Sequence, residues 1–169
     1  MTAHPVQPAE PSARDAFRKV LGHFATGVTA VTGLVEGSPT GMIVNAFSSV
    51  SLDPPLVSVC AAHSSRTWPH LRQDGRICVN ILAEHQQATS WRLSASGRDK
   101  FAGVPWTPSP SGLPVLDGTL AWLECEIRDL HPAGDHEIAV ALVRHMEIAS
   151  TTAPLVFYQG RYGTCAFPA

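Results

Sequence analysis

Residues 41–59 read GMIVNAFSSVSLDPPLVSV. Small and apolar side chains from Met42 to Phe47 predict a strand, and the hydroxyl-rich run SSVS at 48–51 follows it. The sequence Asp53-Pro54-Pro55 then predicts an extended turn, because proline fixes its own backbone and restricts the residue before it. LVSVCA at 56–61 predicts the next strand. The stretch therefore indicates two antiparallel strands that a serine-rich segment and a turn connect.

The same stretch has two interpretations. Small side chains would let a flat ligand approach the backbone, whose N–H and C=O groups can bind the edge of a heterocycle. Asn45 and the serine hydroxyls could supply further hydrogen bonds. A β-hairpin arm with a serine-rich solvent face has the same pattern. The residues of this stretch alone leave both interpretations open.

The part of the chain before this stretch predicts a tail, a helix and a strand. Residues 1–11 are rich in proline and are expected to form a flexible tail, with residues 12–169 as one domain. Ser12, with Asp15 three residues later, predicts a helix N-cap. Apolar residues at helical spacing predict a face that packs into the core, with Gly27 ending the helix. These residues are Phe17, Val20, Leu21 and Phe24.

The remaining chain predicts mainly strands. Val28–Val35 is one strand, followed by a turn at EGSPTG (36–41). Further short helices are predicted in SSRTWPHLRQ (64–73), with Pro69 either early in the helix or distorting it, and in EHQQATSWRLSA (84–95). Phe101–Leu116 reads as a long irregular loop. The other predicted strands are 76–82, Thr119–Leu130, His136–Ala149 and a single last strand, LVFYQGRY, at 155–162. Six or seven strands with hairpin-like turns predict a mainly β, antiparallel barrel.

Composition excludes several classes of function. The chain has 169 residues, of which 44% are apolar and 15% charged, as expected for a globular fold with a buried oligomer interface. A net charge of −2 gives no electrostatic argument for binding nucleic acid or an anionic membrane. No apolar run approaches the roughly 20 residues that span a bilayer, and no signal-peptide pattern is present. The protein is therefore expected to be cytoplasmic.

Common site signatures are missing from the sequence. The cysteines are far apart and form no CxxC pair, so neither disulfides nor a zinc site is expected. The eight histidines show no metal-ligand spacing, and no metal is predicted. Because GxGxxG and the Walker loop are absent, any nicotinamide nucleotide must bind without a Rossmann domain.

Six motifs occur in an order that resembles the short-chain flavin reductase family. They are TGVTAVT (26–32), NAFSSVSLDPPLVSVC (45–60), ICVNIL (77–82), DKFAGVPW (99–106), AGDH (133–136) and PLVFYQGRYG (154–163). The resemblance implies an FMN-binding split barrel with a few peripheral helices, usually a homodimer. It also implies the reductase component of a two-component flavin-dependent monooxygenase, which reduces FMN or FAD with NADH or NADPH, NADH being favoured.

The resemblance also implies a set of site residues. The backbone of Ile43, Val44, Asn45 and Ala46 would face the isoalloxazine ring, with Ser49 and Ser51 near its polar edge. Ala61, Ser65, Arg66 and Thr67 would lie near the ribityl phosphate, and Lys100 with Phe101 near the phosphate or adenine. His136 would contact the nicotinamide nucleotide or the flavin edge, with Tyr162 a weaker candidate for the same pocket. Similar proteins often have Thr in place of Ile43 and Ser in place of Ala46, which bears on flavin affinity.

The individual motifs also have plainer interpretations. Without the resemblance, Ser65–Thr67 equally fits a capped helix with a solvated arginine, and His136 fits a turn residue. The implied reaction is hydride transfer between stacked rings, which needs no acid–base pair, so His136 is only a candidate catalytic residue. Two alternatives stay open: a non-catalytic flavin-binding electron carrier, and an enzyme that resembles pyridoxamine-phosphate oxidase.

Overall fold

The computed structural model describes residues 12–95, 97 and 99–165. The expected tail at residues 1–11 lies outside them. The helices are α1 (Ala13–Leu21), α2 (Trp68–Asp74) and α3 (Gln87–Ser94), and a 3₁₀ turn at Glu84–Gln86 precedes α3. The strands are β1 (Thr26–Gly27), β2 (Thr29–Val35), β3 (Ser38–Val44), β4 (Phe47–Leu52), β5 (Pro55–Ala62), β6 (Arg76–Ile81), β7 (Trp106–Pro108), β8 (Pro114–Leu116), β9 (Ala121–Ala133), β10 (His136–Ile148), β11 (Leu155–Tyr158) and β12 (Arg161–Thr164).

The main sheet closes into a barrel. Its seven strands pair in the order β3-β2-β6-β9-β10-β5-β4, and every pair is antiparallel. β3 and β4 are therefore at opposite edges of the sheet, although only Asn45 and Ala46 separate them in the chain. Two residues cannot cross an open seven-stranded sheet, so the sheet must curl until its edges meet. The prediction of a mainly β split barrel is confirmed, with a seam where β3 passes into β4.

Two clusters of buried side chains hold the barrel together. The first fills its interior and includes Val59, Ile77 and Val79. The second lies between the sheet and α3 and includes Leu93 and Phe101. Complete burial of a leucine side chain contributes about 1.5–3 kcal/mol, so Leu93, which is fully buried, fixes α3 firmly against the sheet.

The first helix differs from its prediction in extent and in packing. The Ser12 side chain caps α1 by accepting from the Asp15 N–H, as predicted, but the helix ends at Leu21 with Gly22 as C-cap, and Gly27 lies in β1. None of its residues is buried, and Phe17 is 63% exposed. The prediction that its apolar face packs into the core is therefore wrong for the single chain. Helical spacing identifies an apolar face but does not say what covers it.

One predicted turn and two predicted strands have bounds in the structure that differ from those expected from the sequence. The turn in EGSPTG is confined to Glu36 and Gly37, whose φ values of 51° and 76° suit a tight hairpin between β2 and β3. The single strand predicted at the C-terminal end is a hairpin, β11–β12, with the turn at Gln159 and Gly160. The strand predicted from Met42 to Phe47 breaks at Asn45, where β3 ends and β4 follows.

The segment from Phe101 to Leu116 is not an irregular loop. It contains the antiparallel pair β7–β8, and Leu113 and Leu116 are fully buried. The sequence did not predict these strands, because each is only three residues long and the segment around them is rich in proline and glycine. No helix in the described part of the chain is long and apolar enough to cross a membrane.

Candidate functional site

The seam of the barrel has a fixed backbone. The Val44 carbonyl accepts a hydrogen bond from the Thr29 hydroxyl at 2.6 Å, and the Ala46 carbonyl accepts from the Cys60 N–H at 3.0 Å. Val44 points into the interior cluster, whereas Ile43 packs against the second cluster. Because the seam is bonded on both sides, Asn45 and Ala46 present a defined backbone to the surface. Ala46 is exposed and Asn45 is half-buried.

The serines beyond the seam lie on an edge strand. Ser49 is exposed and pairs with Val57 of β5, and the register shifts between Ser49 and Ser51. This irregularity adds one residue to β4 and changes which way the following side chains point. Ser51 is half-buried. The arm described by the plainer interpretation is thus present, and its serines stand beside the seam.

A polar turn follows β5 and leads into α2. Ala61 is buried in the interior cluster, and the chain then turns so that the Ser65 N–H donates to the Ala62 carbonyl. The Ser65 hydroxyl accepts from the Trp68 N–H at 3.1 Å. Pro69 lies in the first turn of α2, where its missing N–H costs no helical hydrogen bond, as predicted.

Lys100 joins this turn from a distant part of the chain. Its ammonium group donates to the Thr67 hydroxyl at 3.0 Å and to the Leu93 carbonyl at 3.1 Å. Burial, followed by the neighbouring positive charge of Arg66, lowers the pKa of Lys100. Two cations and a hydroxyl therefore converge at the start of α2. Such a group can hold an anion, since the repulsion between the cations is relieved when negative charge binds.

Phe101 turns away from this group. It is 8% exposed, and its ring lies 3.3 Å from the position that a Cβ on Gly41 would occupy. The ring packs in the second cluster, against which Ile43 also packs. Of the Lys-Phe pair, only the lysine reaches the polar turn.

His136 opens β10 at the same end of the barrel. It pairs with Ala62 of β5, and its Nδ1 atom lies 2.7 Å from a carboxylate oxygen of Asp135. The Asp135 carbonyl in turn accepts from the His63 N–H at 2.9 Å. His136 is thus held beside the end of β5, where the polar turn begins.

Tyr162 occupies a different neighbourhood. Its hydroxyl lies 2.8 Å from that of Ser90 on α3, and its ring contacts Phe157 edge-on at a centroid distance of 5.2 Å. These contacts belong to the second cluster. They differ from those of His136, with which Tyr162 was expected to share a pocket.

Comparison with known proteins identifies the family. Residues 21–166 match the flavin reductase like domain. The chain belongs to the flavin reductase family. A reductase subunit of a flavin-dependent monooxygenase, HsaB from Rhodococcus jostii, is 44% identical to this flavin reductase over 146 residues, covering 86% of this chain and 75% of its own. The FMN reductase (NADH) SmoA from Agrobacterium fabrum is 40% identical over 148 residues, covering 88% and 84%.

Solved structures of similar proteins agree with the fold. Component B of nitrilotriacetate monooxygenase, a homologue from Mycobacterium thermoresistibile, has a TM-score of 0.87 and 42% identity over 92% of this chain and 90% of its own. The NADH:FAD oxidoreductase SgcE6 from Streptomyces globisporus has a TM-score of 0.85 and 33% identity over 96% and 99%. This flavin reductase is therefore an oxidoreductase with the family's barrel.

Three residues near the candidate site of this flavin reductase, Glu137, Trp68 and Arg72, were not predicted from its sequence. Glu137 is 8% exposed and accepts from the Trp68 indole N–H at 2.7 Å and from the Arg72 guanidinium at 2.9 Å. The Trp68 hydrogen bond, followed by Arg72, lowers the pKa of this carboxyl against the effect of its burial. The available signal was a glutamate at a core-facing position of an alternating strand. Among the described residues no cluster suited to a metal ion occurs.

A cavity of about 490 Å³ lies away from these residues, between the end of α2 and the strands β9 and β10. Its lining includes Arg76, Glu124 and Arg144, and it contains none of the predicted site residues. Volume and chemistry therefore indicate different places. The seam and the polar turn, which hold most of the predicted site residues, are therefore the candidate site.

Proposed function

We propose that this flavin reductase transfers hydride from NADH to FMN or FAD bound between the seam and the polar turn, and that a separate monooxygenase receives the reduced flavin. The convergence of Arg66, Thr67 and Lys100 at one end of the barrel carries this proposal. A nicotinamide nucleotide and a flavin phosphate are both anions, and this part of the chain supplies their counter-charges.

In this proposal the isoalloxazine ring lies over Ile43–Ala46. Backbone groups of Asn45 and Ala46, between β3 and β4, would bind the polar edge of the ring, with Ser49 and Ser51 beside it. Ile43 supplies no hydroxyl, so the binding of the ring depends on the backbone at this position. The flavin phosphate would bind Ser65, Arg66, Thr67 and Lys100, with Ala61 and Phe101 as buried supports of that group.

The nicotinamide nucleotide would approach from the side of His136. The Asp135 carboxylate, 2.7 Å from Nδ1, orients the imidazole and leaves Nε2 to face the ligand. Hydride transfer from the nicotinamide C4 atom to flavin N5 is the chemistry that the two cofactors would supply when bound. The chain's own task is to hold the rings in contact and exclude water, which needs no acid–base pair. Tyr162 would support this face only indirectly, through α3.

Steady-state oxidation of NADH and of NADPH, with FAD, FMN and riboflavin in turn, tests the activity. Turnover with NADH and at least one flavin is expected, and background rates in all six combinations would refute the proposal. We expect His136→Ala to raise KM for NADH about tenfold, with a smaller change in KM for flavin. His131→Ala is the matched control, an exposed histidine on the neighbouring strand β9. Equal effects of the two variants would remove His136 from this role.

We further propose that the protein is a cytoplasmic homodimer. The apolar surface at α1 supports the homodimer, because Phe17 and Val20 on the helix and Phe24 just after it are 63%, 69% and 75% exposed on the single chain. Apolar patches of this kind are typical of interfaces. In light scattering, the wild-type protein is expected at twice its chain mass, and Phe17→Glu should shift it toward the monomer. A wild-type monomer would contradict the homodimer.

A further inference from the structure

The Glu137 carboxylate bonds to Trp68 at the start of α2, and Glu137 follows His136 directly in the chain. Its two oxygens accept from the Trp68 indole at 2.7 Å and from Arg72 at 2.9 and 3.1 Å. The Glu137 side chain is 10% exposed, whereas that of Arg72 is 44% exposed. The carboxylate is thus nearly removed from water while its cationic partner is not.

Trp68 is the first residue of α2 and follows the polar turn directly. Its backbone N–H holds the Ser65 hydroxyl at 3.1 Å, and Thr67, which holds Lys100 at 3.0 Å, immediately precedes it. Trp68 itself is 3% exposed and packs in the interior cluster. Because the Trp68 backbone bonds to Ser65 and follows Thr67 directly, a displacement of the whole residue would move Ser65 and Thr67 with it. The hydrogen bond to Glu137 fixes the only polar atom of that indole.

Glu137 also belongs to the strand that presents His136. It pairs with Ala61 at the end of β5, just before the polar turn begins. One side chain therefore connects β10 with α2 across the site. The ion pair of Glu137 with Arg72 is only partly buried, and the cost of removing the carboxylate from water offsets much of what such a pair contributes to stability. Its use here is better explained by the geometry that two directional hydrogen bonds impose.

We propose that Glu137 is a positioning residue that aligns the phosphate-binding turn of α2 with the strand that carries His136. The proposal rests on the proposed function, since it assumes that Ser65–Thr67 and Lys100 bind the flavin phosphate. Glu137 touches neither cofactor. It acts through Trp68 and Arg72, so its loss should weaken the binding of flavins that carry a phosphate and leave the binding of the ring alone.

Fluorescence titration with FMN and with riboflavin measures this directly, because the two ligands differ only in the phosphate. For Glu137→Ala we expect about a tenfold loss of FMN affinity, the effect of losing one or two charged hydrogen bonds, with riboflavin affinity within about twofold. Glu137→Gln keeps an oxygen that can accept from Trp68 and should recover part of the FMN affinity. Glu147→Ala, an exposed carboxylate on the same strand, is the matched control and should change neither.

A second variant guards against misfolding of the first. Trp68→Phe keeps an aromatic ring in the core but removes the indole N–H, and it should reproduce the selective loss for FMN. An equal loss for FMN and riboflavin in both variants, or no loss in either, would overturn the inference.

Arg66→Ala tests the assignment of the phosphate site separately from the positioning role of Glu137. If it abolishes the preference for FMN while the Glu137 and Trp68 variants keep it, only the positioning role is wrong. If Arg66→Ala leaves the preference intact, the phosphate assignment is wrong and the positioning role falls with it.

Discussion

We expect replacement of Glu124 to destabilise the protein by loosening the β7–β8 hairpin from the main sheet. This carboxylate on β9 is 4% exposed and accepts from the hydroxyls of Ser109 and Ser111, both at 2.5 Å, and from the Ser111 N–H at 3.1 Å. The serines belong to the turn between β7 and β8. Glu124 thus attaches that hairpin to the main sheet.

The size of the effect follows from these three bonds. A hydrogen bond to a charged group contributes about 1.5–3 kcal/mol, but such terms are not additive within one network. We expect Glu124→Ala to lower the free energy of unfolding by about 3 kcal/mol, and Glu124→Gln, which keeps one acceptor, by about half as much. For a chain of this length 3 kcal/mol corresponds to a fall in Tm of about 6–12 °C.

Urea unfolding followed by tryptophan fluorescence measures the loss. Glu126→Ala is the control, because that carboxylate lies two residues further along β9 and is bonded to Arg144 at the surface. It should cost less than about 1 kcal/mol. If Glu124→Ala unfolds within about 0.5 kcal/mol of wild type, the hydrogen bonds to the β7–β8 turn do not contribute as argued.

The dependence on pH supplies an independent check. Burial alone would raise the pKa of Glu124, but the hydrogen bonds from Ser109 and Ser111 outweigh it, and the pKa is lowered from its ordinary value of 4.5. A carboxyl with a depressed pKa in the folded state stabilises the protein fully above its unfolded pKa. That contribution is lost as the pH falls through the lower folded pKa. The difference in stability between wild type and Glu124→Gln should be constant above about pH 6 and shrink below pH 4.5. A difference that grows on acidification would contradict the assignment.

Three further predictions concern the core and the thiols. Gly41→Val should lower the free energy of unfolding by about 1–3 kcal/mol, because an added Cβ would lie 3.1 Å from the Val31 carbonyl oxygen and 3.3 Å from the Phe101 ring and the valine methyls would overpack the site. Circular dichroism on heating measures this, and an unchanged Tm would show that these neighbours yield freely. Asn80→Ala should lower the free energy of unfolding in urea by about 2–3 kcal/mol, since its fully buried amide bonds to β2, to β8 and to its own strand β6, and a loss below about 1 kcal/mol would contradict this network. Thiol titration of the native protein should modify exposed Cys165 rapidly and Cys78 only on unfolding, because burial raises the pKa of Cys78; rapid native labelling of a Cys165→Ser variant at Cys78 would refute the burial argument.

Much of the barrel could be predicted from periodicity. The alternation in residues 56–61 places Val57, Val59 and Ala61 on the inner face, and these residues are buried. Tertiary context decided the rest. The helical spacing of Phe17 and Val20 predicts one apolar face, yet the fold of one chain leaves that face uncovered. Likewise, the short pair β7–β8 owes its structure to side-chain bonds with a distant strand rather than to local propensity.

The candidate site could be predicted only in part. The ordered motifs led to the seam, the polar turn and His136, which the structure brings to one end of the barrel. Burial of Phe101 was hidden, because a residue inside a glycine- and proline-rich segment gives no periodic signal. Glu137 was missed for a different reason. A charged residue on a strand is usually solvent-facing, and the distant side chains of Trp68 and Arg72 explain its place inside.

The strand order also has a consequence for folding. The pairs β2–β3, β4–β5 and β9–β10 are local hairpins and can form early, whereas the pairing of β5 with β10 joins residues from opposite halves of the chain. Closing so long a loop is slow, because its entropy is lost before any contact compensates it. The pair Ala62–His136 belongs to this late step. The surface between the polar turn and β10 is therefore among the last parts of the molecule to form, and recovery of ligand binding during refolding should lag behind recovery of secondary structure.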